Sequence, residues 1–105
     1  MAAFILADVE VLDFDSYKAS GYLENTPRIA ASFGGKYRVR GGDTQILEGD
    51  LQLARVVLIE FPDMENLLAF YRSEEYKPWI EVRQSHTRSR IVALQGIAAD
   101  PLDLE

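Results

Sequence analysis

Six side chains hold most of the chemistry open to this sequence: Tyr17, Arg38, Glu60, Tyr76, Arg83 and His86. His86 is the only histidine, and an imidazole that titrates near neutral pH suits a general base or a haem ligand. No serine or aspartate stands at a diagnostic spacing from it, so its plainer reading is a polar residue in the connection before the last strand. Arg38 and Arg83 can each clamp a carboxylate, because a planar guanidinium makes two parallel hydrogen bonds to that group; Tyr17 and Tyr76 could orient it from the sides. Glu60 ends an apolar run, where a carboxylate is costly unless paired. It either salt-bridges an arginine and steadies the turn at Pro62, or touches a substrate.

Other chemistries lack their residues. The chain has no cysteine, which removes disulfides, thiolate metal sites and cysteine nucleophiles. A lone histidine with scattered carboxylates forms no dense ligand cluster, so neither a metal nor a cofactor is expected. Gly34-Gly35 and Gly41-Gly42 do not read as phosphate loops, since neither follows a strand and opens a helix with the lysine that a P-loop requires. Lys36-Tyr37-Arg38-Val39-Arg40 interleaves an aromatic with basic residues as single-strand binders do. It sits in a chain of net charge −6, with 17 acidic against 11 basic residues, which opposes binding to phosphate backbones and anionic lipid. Neither nucleic acid nor a membrane is an expected partner.

The elements that position these residues can be read from periodicity. A chain of 105 residues, 48% hydrophobic and 27% charged, suits one globular domain, here residues 1–97, followed by an acidic, loose tail at 98–105. No apolar run approaches the roughly 18 residues of a membrane span. Met1 to Asp8 lacks the basic start of a secretory signal, so a cytoplasmic protein is expected. Phe4 to Val11 alternates as a strand with one wholly apolar face. Asp13 opens a helix with Phe14, Tyr17, Gly21 and Leu23 as inward candidates, and Pro27 predicts a kink or a restart. Gly34-Gly35 ends it. Lys36 to Arg40 reads as a strand whose charged face carries Lys36, Arg38 and Arg40, and Gly41-Gly42-Asp43 breaks it. A loop through Glu48-Gly49-Asp50 leads to an interior strand, Ala54 to Phe61. Asp63 caps a helix with Met64, Leu67, Leu68 and Tyr71 on one stripe, and Ser73 predicts the cap of a short helix through Trp79 and Val82. Arg90 to Gly96 supplies the last strand.

The order β-α-β-β-α-β is the split pattern of ferredoxin-like folds, an α+β class with a four-stranded antiparallel sheet. Right-handed crossovers place strands one and three in the middle and both helices on one face. The other face stays bare in a monomer, and packing two copies together there would close a barrel-like interior. Asp8 and Glu10 should then lie beside Arg88 or Arg90 on the neighbouring strand.

Asp13-x-x-x-Tyr17, the kink around Pro27, Phe33-Gly34-Gly35-Lys36, Arg40-Gly41-Gly42, Leu47-Glu48-Gly49, Glu60-Phe61-Pro62, Ser73-x-x-Tyr76 and Arg83 occur in order over about residues 3 to 97. With these markers the chain resembles a bacterial family, domain-of-unknown-function family thirteen-thirty, of the dimeric α+β barrel superfamily. The resemblance implies a ferredoxin-like protomer and a homodimer, and it brings no established substrate. Relatives in that superfamily include cofactor-free monooxygenases, lactone isomerases, dehalogenases and haem enzymes, so the fold does not choose a chemistry. His86-Thr87 replaces the small residues often found after the arginine in similar sequences, so any role of His86 is particular to this chain.

The functional expectation is a homodimer that binds or transforms a small organic acid or aromatic metabolite without a cofactor. Its cleft lies between sheet and helices and is lined by Tyr17, Arg38, Glu60, Tyr76, Arg83 and His86. Proton transfer there would use Glu60 or His86 as base, with Arg83 as partner of a developing oxyanion. The competing expectation is a non-catalytic dimeric module whose polar residues satisfy one another.

Overall fold

In the computed structural model, which describes residues 1–97, alternation along β1 (Ala3–Val11) sorts its side chains cleanly. Ala3, Ile5, Ala7 and Val9 are buried under the helices, while Phe4, Leu6, Asp8 and Glu10 take the opposite face, as a period of two requires. The tail at 98–105 lies outside the described residues. The remaining elements are α1 (Phe14–Ala19), α2 (Tyr22–Ser32), β2 (Lys36–Arg40), β3 (Val56–Phe61), α3 (Met64–Tyr71), α4 (Lys77–His86) and β4 (Thr87–Gln95). The sheet order is β2-β3-β1-β4 with antiparallel neighbours throughout, the arrangement expected from the element order. Among the described residues no helix is long and apolar enough to cross a membrane.

Asp13 caps α1 as expected, its Oδ1 accepting from the N–H groups of Asp15 and Ser16. The break in the first helical segment falls at Gly21 rather than at Pro27. Gly21 has φ +88°, a left-handed conformation that costs glycine little, and a Cβ there would meet Asn25 Nδ2 at 3.2 Å. Pro27 instead lies inside α2. A proline cannot donate to the carbonyl four residues back, and that carbonyl, on Leu23, accepts from Arg40 Nη2 instead. Of the inward candidates, Tyr17 is buried and Phe14 is exposed.

A bulge in β2 is the second departure. Tyr37 pairs with Ile59, but Val39 pairs with Leu58 and Arg40 with Val57. The extra residue, Arg38, shifts the alternation by one step. Tyr37 and Arg40 therefore share the helix side, while Lys36, Arg38 and Val39 take the open side. The expected single basic face is divided between the two sides of the sheet.

Asp63 caps α3 through Asn66 N–H at 2.8 Å. Ser73 Oγ receives the Tyr76 N–H, but the regular helix opens at Lys77, with Pro78 in its first turn where its missing donor is harmless. α4 runs on to His86 and passes straight into β4 at Thr87, three residues before the expected strand start. No glycine or proline stands there to separate helix from strand. Thr87 Oγ1 closes the last turn by donating to the Arg83 carbonyl at 2.7 Å.

The core stacks Phe61, Phe70 and Tyr76 over Ile5, Ile29 and Ile59. On the open face, Asp8 pairs with Arg90 at 2.6 Å and Glu10 with Arg88 at 3.8 Å, across directly opposed positions of β1 and β4. Leu6, Val39, Val92 and Leu94 are exposed on that face. Asp8 Oδ1 also accepts from the N–H groups of Ala54 and Arg55 at 2.8 and 3.3 Å, tying down the end of the loop before β3.

Candidate functional site

Between the helices and the sheet lies a cavity of about 40 Å³. Its floor is apolar, made by Ile5, Ala7 and Val9 of β1 with Val57 and Ile59 of β3. Its polar groups are five tyrosines (Tyr17, Tyr22, Tyr37, Tyr71 and Tyr76), three arginines (Arg40, Arg55 and Arg83) and the buried Thr26. Among the described residues no carboxylate lines it.

Local structure delivers each of these side chains. The turn at Gly21 brings Tyr22 of α2 back against Tyr17 of α1, with ring centroids 5.3 Å apart and planes at 24°. The hydroxyls of Tyr22 and Tyr76 hydrogen-bond to each other, and Tyr76 stacks on Phe70 at 4.4 Å. The bulge turns Tyr37 and Arg40 to the same side, where the Arg40 guanidinium lies 5.2 Å from the Tyr37 ring centroid, within reach of a cation–π contact. Arg55 rests against Gly41, whose φ is +72° and whose added Cβ would come within 2.7 Å of Arg55 Nε.

Arg83 is 3% exposed. Its Nη2 donates to the Tyr71 hydroxyl across a long 3.4 Å, while Nε and Nη1 have no acceptor. A buried cation in this condition is costly. Its place in the last turn of α4 puts it near the negative end of the helix dipole, which offsets only about 0.3–2 kcal/mol. The tyrosines supply no counter-charge. Burial pushes the Tyr17, Tyr37 and Tyr76 phenols well above their ordinary value of 10.0, and that of Tyr22 upward too, against the opposing pull of nearby arginines. They remain neutral hydrogen-bonding groups at physiological pH.

Of the residues singled out from sequence, Tyr17, Tyr76 and Arg83 meet in this cavity. Arg38 and Glu60 do not. They lie on the open face of the sheet, joined by a 3.0 Å ion pair, because strand alternation turns Glu60 away from buried Ile59 and Phe61. His86 ends α4, and its ring packs 6.1 Å from that of Tyr17. Its Nδ1 lies 2.8 Å from the Val82 carbonyl, so that nitrogen carries the proton and donates. Neither Glu60 nor His86 reaches the cavity wall. Among the described residues no group of three His, Asp or Glu could hold a metal ion.

Sequence reasoning missed Tyr22, Arg40, Arg55 and the polar use of Tyr71 and Tyr37. Signals existed for two of them: Arg40 directly precedes the Gly41-Gly42 break, and Tyr22 follows the glycine that bends the helix.

The family described as Domain of unknown function (DUF1330) matches residues 2–97. The chain belongs to that family. Solved structures that share the fold of this DUF1330 chain include three of differing description. A protein of unknown function from Rhodopseudomonas palustris is 20% identical with a TM-score of 0.69, over 92% of this chain and 83% of that one. SnoaB, a cofactor-independent oxygenase from Streptomyces nogalater, is 12% identical with a TM-score of 0.60, over 95% and 96% of the two chains. An antibiotic biosynthesis monooxygenase is 12% identical with a TM-score of 0.56, over 93% and 100%. At these identities the likeness is one of fold, the ferredoxin-like α+β architecture. No curated protein matches the DUF1330 chain.

Proposed function

We propose that the chain binds a small organic acid in the cavity between helices and sheet, with the acid group seated on Arg83. One observation carries the reading: a guanidinium 3% exposed with two nitrogens that find no acceptor among the described residues, in a cavity that no described carboxylate lines. An incoming carboxylate would supply both acceptors in the parallel geometry that a guanidinium favours. The tyrosine hydroxyls offer further hydrogen bonds; the closed cavity of about 40 Å³ has room for a few waters only, so an organic acid enters as its walls part.

What such a site can do chemically is stabilise an anion, whether a bound carboxylate or an enolate formed during a reaction. The fold shared with a cofactor-independent oxygenase is compatible with the second use. Among the described residues the cavity offers no carboxylate or imidazole as a base, so an enolate would have to form with a base from outside the lining, and holding a carboxylate is the use the lining supports. The competing reading, a module whose polar groups satisfy each other, expects internal ion pairs here. None of the five ion pairs among the described residues involves Arg40, Arg55 or Arg83.

The proposal extends to a homodimer formed through the open sheet face. Leu6, Val39, Val92 and Leu94 stand exposed there, beside neutralising cross-strand ion pairs that leave little net charge to repel a second copy. Sedimentation equilibrium should give twice the 11.9 kDa protomer mass at micromolar concentration; the protomer mass alone would remove the dimer.

A thermal-shift screen of aliphatic and aromatic carboxylates tests the ligand reading. Stabilisation by a subset of acids is expected in the native chain and its loss in Arg83→Met. Equal stabilisation of both proteins would overturn the assignment, as would silence across the whole screen.

A further inference from the structure

The cavity has a second cationic end. Arg83 stands at its buried end, and the exposed Arg40 with the half-buried Arg55 stands at the β2 side. Neither outer arginine has an ion pair among the described residues. Both are nevertheless held in place by features that chain folding alone does not require. The bulge at Arg38 turns Arg40 inward, and the Leu23 carbonyl left free by Pro27 receives one of its N–H groups. Gly41, with its positive φ, leaves the space that Arg55 fills, and Asp8 fixes the Arg55 backbone from the far side of the sheet.

From these placements we infer that the ligand carries two acidic groups, one seated on Arg83 and the other met by Arg40 and Arg55. The inference rests on the acid-binding reading above and names the ligand class: dicarboxylic acids, or aromatic acids bearing a second anionic group. Two cationic ends joined by an apolar floor discriminate by length as well as charge. A diacid too short to span them gains only one contact, and a monoacid leaves one end solvated.

Isothermal titration of the full chain with matched probes tests this. Succinate, glutarate and adipate are compared with butyrate, valerate and hexanoate, and terephthalate with benzoate. At least one diacid should bind tenfold or more tightly than its monoacid counterpart. Arg55→Gln should lower that ratio towards one, and Arg40→Gln should act in the same direction with Arg40→Lys restoring part of it. Arg83→Met should abolish binding of both classes. Equal affinity for diacid and monoacid, or an unchanged ratio in Arg55→Gln, overturns the two-anion inference and leaves the acid site standing. Binding that survives in Arg83→Met overturns the acid site itself, and absence of binding by every probe overturns both.

Discussion

The two faces of the sheet treat their arginines in opposite ways. On the open face Arg38, Arg88 and Arg90 each meet a carboxylate, at 3.0, 3.8 and 2.6 Å. On the covered face Arg40, Arg55 and Arg83 line one cavity without any. Stability alone produces the reverse. A solvated pair contributes about 0–1 kcal/mol, whereas an uncompensated buried charge, here Arg83 alone of the three, costs several kcal/mol. Among the described residues no carboxylate lines the cavity, although the chain is rich in acidic residues. The asymmetry is what the proposed acid site rests on: a covered face with unpaired cations and an open face whose charges are paired.

Arg83→Met is the strongest way to break this contrast. Removing an uncompensated buried charge in exchange for an apolar side chain should raise unfolding stability by on the order of 1–4 kcal/mol while acid binding disappears, a trade of stability against function. Urea titration reads the first effect; a lower midpoint in the variant would show that Arg83 is already compensated without ligand. Asp8→Ala comes next. Asp8 receives two backbone N–H groups and Arg90, and its loss should cost about 1–3 kcal/mol and weaken diacid binding through Arg55. These bonds hold its carboxyl below the ordinary 3.8. Its contribution is therefore present above that value and is lost as pH falls through the folded one, because the unfolded chain takes up the proton first.

The tyrosines sharpen the contrast at the other end of the pH scale. Unfolded phenols ionise near 10.0, while burial keeps the cavity phenols protonated beyond it. Stability should fall as pH rises past that value, by on the order of 1 kcal/mol per pH unit for each retained proton. Denaturation followed by tyrosinate absorbance checks this, since ionisation should accompany unfolding rather than precede it. The smallest effect belongs to the open face. Glu60→Gln should change stability by less than about 1 kcal/mol and leave acid binding untouched.

Much of the fold was legible because it follows from local periodicity. Strict alternation defined β1, the apolar run around Val57 and Leu58 defined β3, and Asp13 and Asp63 announced their helices as side-chain caps. The order of these elements then fixed the sheet and even the pairing of Asp8 with Arg90. The site was legible only in part. Tyr17, Tyr76 and Arg83 followed from residue type, but Arg38 and Arg40 exchanged roles through a one-residue bulge that no glycine or proline signals. Gly21 looked like a small inward residue of a longer helix, and only tertiary packing against Trp79 shows it as the joint. Glu60 was read as an arginine's partner or a substrate contact, and it pairs with Arg38 on the open face, away from the cavity. His86 was displaced by the unbroken passage from α4 to β4.

That passage decides which wall of the cavity can yield. Helix and strand share a peptide bond at His86 and Thr87 with no residue between them to act as a hinge, and the strand is laced to β1 over paired positions from Ala3 and Gln95 to Val11 and Thr87. Swinging α4 outward would require peeling the edge strand from the sheet. The stretch from 41 to 55 contains no helix or strand and offers a far cheaper deformation, since local opening follows the segments with fewest cooperative bonds. Arg83 is thus a stationary wall of the cavity, Arg55 is pinned to β1 through Asp8 and Val9, and on the acid-binding proposal the wall that yields is the stretch ahead of Arg55, on the β2 side.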